Sequence, residues 1–303
     1  MNLYRTTFKA MACDNEIVVA AAERAMAVRA MEAAGNEVLR IEAKYSRYLS
    51  DGGSIVHQIN RSAGSEDEVK CDSETLLLFD MADQLYRRSD GLFDITSGVL
   101  RKAWDFSNAV LPDPGYLHSI LGLVGWSKVE RTTTGVRLPA SGMEIDFGGF
   151  GKEYAADHAA HTISEQGIGH GYVSLGGDIS AVGPQPDGKP WLIGVQNPRR
   201  PGEVIATVPV TKGGLATSGD SQKYFEINGR RYCHLLNPTS GFPPNCWRSV
   251  SIASVSCTMA GACSTIAMLK ENEALEFLSG QSCTYLLVDR DGGLTSSSPT
   301  SER

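Results

Sequence analysis

Apolar residues recur at roughly helical spacing over residues 21–45. Met26, Ala30, Ala33, Val38 and Ile41 stand among Ala, Leu, Glu and Arg, which favour helix. A second helix is predicted over residues 74–88, capped by Ser73 and ended by Ser89-Asp90-Gly91. Its apolar face would be Leu76, Leu77, Phe79, Met81, Ala82 and Leu85. Shorter helical patterns fall at residues 116–123, 154–166, 259–269 and 275–280, with another short helix near Trp104. Residues 3–22, with Ile17, Val18 and Val19, read as one opening strand broken by a bulge at Met11-Ala12-Cys13. Further strands are expected at 128–131, 135–138, 172–183, 191–196, 204–210, 249–255 and 285–289, and Asn228-Gly229 marks a hairpin. Residues 45–54 and 107–116 read as loops, and the Ser/Thr-rich tail after Gly292 as frayed.

The chemistry gathers around Glu144-Ile145-Asp146-Phe147-Gly148-Gly149-Phe150-Gly151-Lys152-Glu153. This reads as a short strand ending at Ile145 and Phe147, a glycine turn and a helix start. Glycines let backbone N–H groups approach a ligand without a Cβ in the way. The helix would aim its positive end at that ligand. Asp146, Lys152 and Glu153 surround the turn with both signs of charge, a sensible cradle for a phosphate with a metal ion. It lacks the GxGxxG and GK[ST] spacings of the common nucleotide loops, and a tight connection alone would need the same glycines. Four other points could carry chemistry or only structure. Asp94, between Phe93 and Ile95, either caps a turn or faces a ligand. Asp178, after Gly176-Gly177, could bind a ligand or satisfy its turn. Tyr45 and Tyr48 could stack on a planar ring or close the core, and His234 has a proton-transfer range.

Composition narrows this picture. The chain has 303 residues, 42% hydrophobic and 21% charged, enough for a sizeable core. A net charge of −7 argues against general nucleic-acid binding. Seven cysteines without a CxxC pair argue against a disulfide framework or a zinc ribbon, and fit reduced thiols. The first residues lack a basic segment leading into a long apolar run, so a cytoplasmic location is expected for the chain as written. A trimmed leader would make it an exported protein.

Several stretches occur together in one order: Phe8-Lys9-Ala10-Met11, Tyr45-Ser46-Arg47-Tyr48 with Ile59-Asn60, and Phe93-Asp94-Ile95-Thr96. They continue with Asp146-Phe147-Gly148-Gly149 and Lys152, then Leu175-Gly176-Gly177-Asp178 and Thr217-Ser218-Gly219-Asp220. The last are His234-Leu235-Leu236-Asn237-Pro238 and Ala260-Gly261 with Ser264-Thr265. In this the chain resembles the ApbE family of FAD:protein FMN transferases over nearly its whole length. The resemblance implies an α+β fold: one ApbE-like, T-fold-like domain over residues 1–290, with mixed or antiparallel sheets flanked by helices, an FAD cleft and a flexible tail over 291–303. It implies magnesium-dependent transfer of FMN from FAD to a Ser or Thr hydroxyl of an acceptor flavoprotein, with AMP released. A membrane-associated redox complex is among the targets it suggests. It places Met11, Tyr48, Leu92, Phe93, Asp94, Asp146, Lys152, Asp178 and Leu236 at the flavin nucleotide. Gly149, Ser264 and Thr265 would face magnesium. Lys152 sits near the phosphates and His234 is the candidate for proton transfer.

The chain departs from the family pattern at the metal. An Asp usually stands four residues before the Thr, where this chain has Gly261, and Glu153 stands where Gly is usual after the Lys. A hard cation wants carboxylate oxygens. Glu153 is therefore expected to replace the missing ligand in a different geometry, the alternative being an ordinary exposed helix residue. Met11-Ala12-Cys13 replaces a usual Met-Gly-Thr. Two other functions stay open at this point: an FAD-binding carrier or sensor without transferase activity, favoured by Gly261, and an FAD pyrophosphatase giving FMN and AMP.

Overall fold

The computed structural model describes residues 1–49 and 53–297. Ser50, Asp51 and Gly52 of the expected loop, and the last residues from 298, lie outside the described residues.

The expected opening strand is two strands. β1 (Asn2–Ala10) and β2 (Cys13–Ala21) pair antiparallel, with Ala10 opposite Cys13. Met11 and Ala12 form the turn at φ 54° and 57°. Non-glycine residues are rare there, so the usual Asn-Gly or Asp-Gly signal of such a hairpin is missing. α1 (Arg24–Tyr45) follows as expected, burying Ala27, Ala30, Met31, Ala34, Val38 and Ile41. α2 (Ile55–Arg61), β3 (Val69–Lys70) and α3 (Ser73–Arg88) come next. Asp72, not Ser73, caps α3, accepting the Thr75 N–H at 3.0 Å. A 3₁₀ helix (Ile95–Ala103) leads to Trp104, and α4 (Pro114–Leu121) is capped by Asp113. β4 (Glu130–Arg131) and β5 (Gly135–Arg137) join β3 in a small sheet.

Residues 144–147 are extended but pair with no strand. Asn60 takes the place of a neighbouring strand: its side chain accepts from Ile145 N at 2.7 Å and donates to Ile145 O at 3.0 Å. α5 (Gly151–Glu165) starts directly after the glycine turn. Then come β6 (Gly171–Leu175), β7 (Asp178–Gly183), β8 (Trp191–Gln196), β9 (Val204–Val210), β10 (Gly213–Gly219), β11 (Tyr224–Ile227) and β12 (Arg230–Cys233). Asn228 and Gly229 turn the β11–β12 hairpin at positive φ, as expected. The chain closes with β13 (Trp247–Ser254), α6 (Cys257–Lys270), α7 (Ala274–Ser279), β14 (Thr284–Asp289) and β15 (Leu294–Ser296). The segment expected to fray after Gly292 thus supplies an edge strand, with Thr295 opposite Leu287.

Eight strands form the main sheet in the order β1-β2-β6-β7-β10-β13-β14-β15, antiparallel throughout. α1, α5 and α6 pack as a helical layer on the face carrying Ile17, Val173, Ala216, Val250 and Ile252. The β8–β9 ribbon covers Ile179 and Leu215 on the other face through Val210, Ile193 and Val208. A second apolar cluster joins the 3₁₀ helix, α4 and the β11–β12 hairpin around Trp104, whose indole N–H donates to Gly241 O at 2.9 Å. This cluster stands beside the sheet end where the β1–β2 and β6–β7 turns meet the start of α5.

Candidate active site

The glycine turn holds its shape through what surrounds it. A Cβ on Gly149 would come within 2.8 Å of the Phe93 ring, and one on Gly98 within 2.7 Å of Asp146 Cβ. Phe93 is buried, its ring 6.0 Å from that of Phe150, which starts α5 without a side-chain cap. Phe93 therefore backs the turn from the core. Asp94 caps the 3₁₀ helix. Its Oδ1 accepts from Thr96 N (2.8 Å) and Thr96 Oγ1 (2.6 Å), and its Oδ2 from Trp126 N (2.8 Å). The cap offered by the sequence is present, and the Trp126 amide, 32 positions along the chain, takes the second oxygen of the buried carboxylate. Leu92 is half-buried next to Phe93, and Leu236 is buried in the Trp104 cluster.

Asp146 anchors one side of the site. It accepts from Gly148 N at 2.8 Å, Arg101 at 2.9 Å and Arg47 at 3.3 Å. Arg101 also donates to the Tyr48 hydroxyl at 2.8 Å, while the Tyr48 ring stays exposed at 74%. The Arg47 guanidinium lies over the Tyr48 ring at 5.7 Å, and Tyr45 closes the core edge-on to Phe147. Arg101 was not legible beforehand. It lies in a 3₁₀ helix with no periodic signal, and only the fold brings it to Asp146.

Lys152, Asp178 and Glu153 form the other side. Lys152 pairs with Asp178, whose other oxygen accepts from Thr217 N at 2.9 Å. Burial works against the Lys152 ammonium, but Asp178 and Glu153 outweigh it and hold it above its ordinary value. Glu153 is buried, at 8% exposure, so the reading as an exposed helix residue fails. Burial, with Asp178 beside it, pushes its carboxyl up to about 8 against the pull of Lys152. Its Oε2 has no hydrogen-bond partner. Facing it on α6, Ser264 donates to Gly261 O at 2.9 Å, and the Ser218 hydroxyl bridges Ser264 (2.8 Å) and Thr265 (3.1 Å).

The β1–β2 turn completes the rim. Met11 N donates to Glu42 Oε1 at 2.7 Å, and Cys13 packs against Gly176 of the β6–β7 turn. A cleft of about 440 Å³ opens there, lined by Lys9, Ala10, Ala12, Cys13, Asp14 and Glu42; a second of about 190 Å³ lies by Arg47, His57, Asn60, Arg61 and Glu144. His234 comes from the end of β12, its N–H held by Lys223 O at 3.0 Å. Its Nδ1 is buried without a partner. Burial, helped by the nearby positive charges of Arg101 and Lys223, lowers it to about 4, so the ring is neutral at pH 7.

Among the described residues, no three His, Cys, Asp or Glu side chains are grouped so as to hold a metal ion by themselves. The oxygens present still suit a hard cation that shares its ligands with a substrate phosphate. Magnesium is usually bound through one or two carboxylates plus phosphates. Glu153 has an unpartnered oxygen for that role, with the Gly149 backbone and the Ser264 and Thr265 hydroxyls in the same part of the fold.

The chain matches the ApbE family over residues 10–287. It belongs to the ApbE family. Among proteins named FAD:protein FMN transferase, that of Haemophilus influenzae is 28% identical over 273 residues, covering 85% of this chain and 78% of its own length. That of Treponema pallidum is 28% identical over 260 residues, covering 78% and 72%. The crystal structure of the ApbE protein of Thermotoga maritima superposes with a TM-score of 0.87 at 29% identity, covering 97% of this chain and 96% of that one. The flavinyl transferase ApbE of Pseudomonas stutzeri, at 23% identity and a TM-score of 0.82, shares the fold.

Proposed function

We propose that this chain is an FAD:protein FMN transferase that moves FMN from FAD to a Ser or Thr hydroxyl of an acceptor flavoprotein. The observation that carries this reading is the joining of two halves at one sheet end. A cationic and acidic half (Lys152, Asp178, Glu153) stands at the uncapped start of α5, and a neutral His234 has a buried, unpartnered nitrogen. Family membership and the named relatives support it.

The reaction asks for little covalent chemistry and much charge neutralisation. The acceptor oxygen bonds to the phosphorus on the FMN side of the pyrophosphate. The bond from that phosphorus to the oxygen of AMP breaks, and AMP leaves with the electron pair. Lys152 and the first turn of α5 offset charge on the phosphates. His234 is neutral and can accept the hydroxyl proton at Nδ1. Asp146 and Arg101 hold the nucleotide side, and Tyr48 offers its ring to a planar group. Magnesium, held by Glu153, the Gly149 backbone, Ser264 and Thr265, would neutralise the phosphate oxygens when bound. A soluble acceptor and one within a membrane-associated redox complex are both compatible with this site; among the described residues no helix is long and apolar enough to cross a membrane.

The test is to incubate the protein with FAD and magnesium, with and without a peptide carrying a flavinylation motif, and to follow products by mass spectrometry. FMN esterified to the peptide, with an equal amount of AMP, is expected. Free FMN and AMP in both reactions would point to a pyrophosphatase, and intact bound FAD to a carrier. Either result would overturn the transferase reading.

A further inference from the structure

We infer that positions 153 and 261 form a single carboxylate site shared between two helices: Glu153 on α5 fills the space left by Gly261 on α6 and presents its free oxygen to a divalent cation. This rests on the functional reading above for the phosphate that completes the cation's shell.

Gly261 lies within α6, where glycine costs about 1 kcal/mol relative to alanine. It is not among the residues at positive φ, so the backbone does not require it. The neighbour explains it. A Cβ at Gly261 would stand 2.6 Å from Glu153 Cγ, 2.8 Å from Cδ and 2.9 Å from Oε1. The two positions compete for one volume, so a side chain at 261 and the Glu153 carboxyl exclude each other.

What fills that volume is charge-bearing and incompletely satisfied. Glu153 is more than nine-tenths buried, and its Oε2 has no hydrogen-bond partner. Leaving such an oxygen unpaired costs about 1–3 kcal/mol or more. Glu153 stands against Gly261 of α6. Ser264 and Thr265 lie one turn along α6 from Gly261 on the same face, and Ser218 joins their hydroxyls. Asp178 is occupied by Lys152 and by Thr217 N. Glu153 is therefore the carboxylate with an oxygen to spare. A carboxyl with an unpartnered oxygen, set against a helix that carries two hydroxyls one turn on, suits a hard divalent cation such as Mg²⁺ or Mn²⁺, which binds the carboxylate form.

The exchange of side chains tests this apart from turnover. Mn²⁺ would be titrated into FAD-saturated protein and followed by electron paramagnetic resonance, with FAD affinity measured separately by fluorescence. Glu153→Gln keeps the shape and removes the charge; it should weaken Mn²⁺ by about tenfold or more with FAD affinity retained. Glu153→Gly should weaken it equally. The exchanged variant Glu153→Gly/Gly261→Asp should recover to within about threefold of the natural protein, since the carboxylate returns to the same volume. If Glu153 were only a filler, Glu153→Gln would bind Mn²⁺ unchanged, and the inference would fall. If Glu153→Gln does not fold, the exchanged variant against Glu153→Gly decides: no recovery of Mn²⁺ overturns the shared site. Mn²⁺ held through Glu153 by a protein that transfers no FMN would overturn the functional reading alone.

Discussion

The two helices that meet at the site begin in opposite ways. α6 is closed at its N-terminus by the protein itself. Ser256 accepts from Met259 N, and the Asp157 carboxylate, reaching over from α5, accepts from Cys257 N (2.9 Å), Thr258 N (2.9 Å), Thr258 Oγ1 (2.6 Å) and Ser180 Oγ (2.7 Å). α5 begins at Phe150 with no side-chain cap, and its first turn carries Lys152 and Glu153. Both ends carry the partial positive charge of a helix start. In one an internal carboxylate answers it, so the end contributes stability. In the other no side-chain cap answers it and a lysine stands in the first turn, which in the proposed function offsets phosphate charge. The same element, differently closed, serves as structure or as site.

That contrast breaks first at Asp157. Asp157→Ala should lower unfolding free energy by about 3 kcal/mol, since it strips four donors of their shared acceptor. FMN transfer below the melting transition should be near normal; urea unfolding and a transfer assay check both halves. Lys152→Ala should do the reverse. Transfer efficiency should fall about 100-fold, equivalent to about 2.7 kcal/mol, with a smaller stability loss than Asp157→Ala. Asp178 keeps the Thr217 amide and sits beside the Glu153 carboxyl, whose proton relieves the repulsion. Equal losses of stability in the two variants would dissolve the comparison.

His234 sharpens it through pH. Its folded value is depressed to about 4 from 6.5. Between those values the unfolded chain binds more protons, so stability is fully present above about pH 6.5 and is lost as pH falls toward 4. The loss amounts to at most about 3 kcal/mol. His234→Gln should flatten that acid limb in thermal melts. The smallest effect is Ser256→Ala, about 1 kcal/mol from the lost α6 cap, with transfer unchanged.

Much of this was legible along the chain. The helices α1 and α3, the Asn228-Gly229 hairpin and the glycine turn before Lys152 are local signals and appear where expected, but the buried stripe of α3 is Leu78, Phe79, Ala82 and Leu85, and Leu77, expected on it, is exposed. The misread places are those where partners come from far away. Met11 and Ala12 make a hairpin turn without glycine because β1 and β2 register against each other over their full length and Glu42 holds Met11 N. Residues 144–147 look like a strand, yet their partner is the Asn60 side chain. Ser73 looked like a cap, and Asp72, with its longer reach to Thr75, took the position. Arg101 reaches Asp146 across 45 positions and leaves no trace in periodicity.

By itself the sequence determined which residue types stand at the glycine turn, which helices and hairpins form, and that a carboxylate is missing at 261 and present at 153. Only the tertiary structure decided that these two changes occupy one volume, that Asp94 is a cap and Asp157 a clasp on the start of α6, and that His234 is neutral. The reason is physical. Periodicity and turn chemistry act between neighbours in the chain, whereas steric exclusion, desolvation and charge act between neighbours in space.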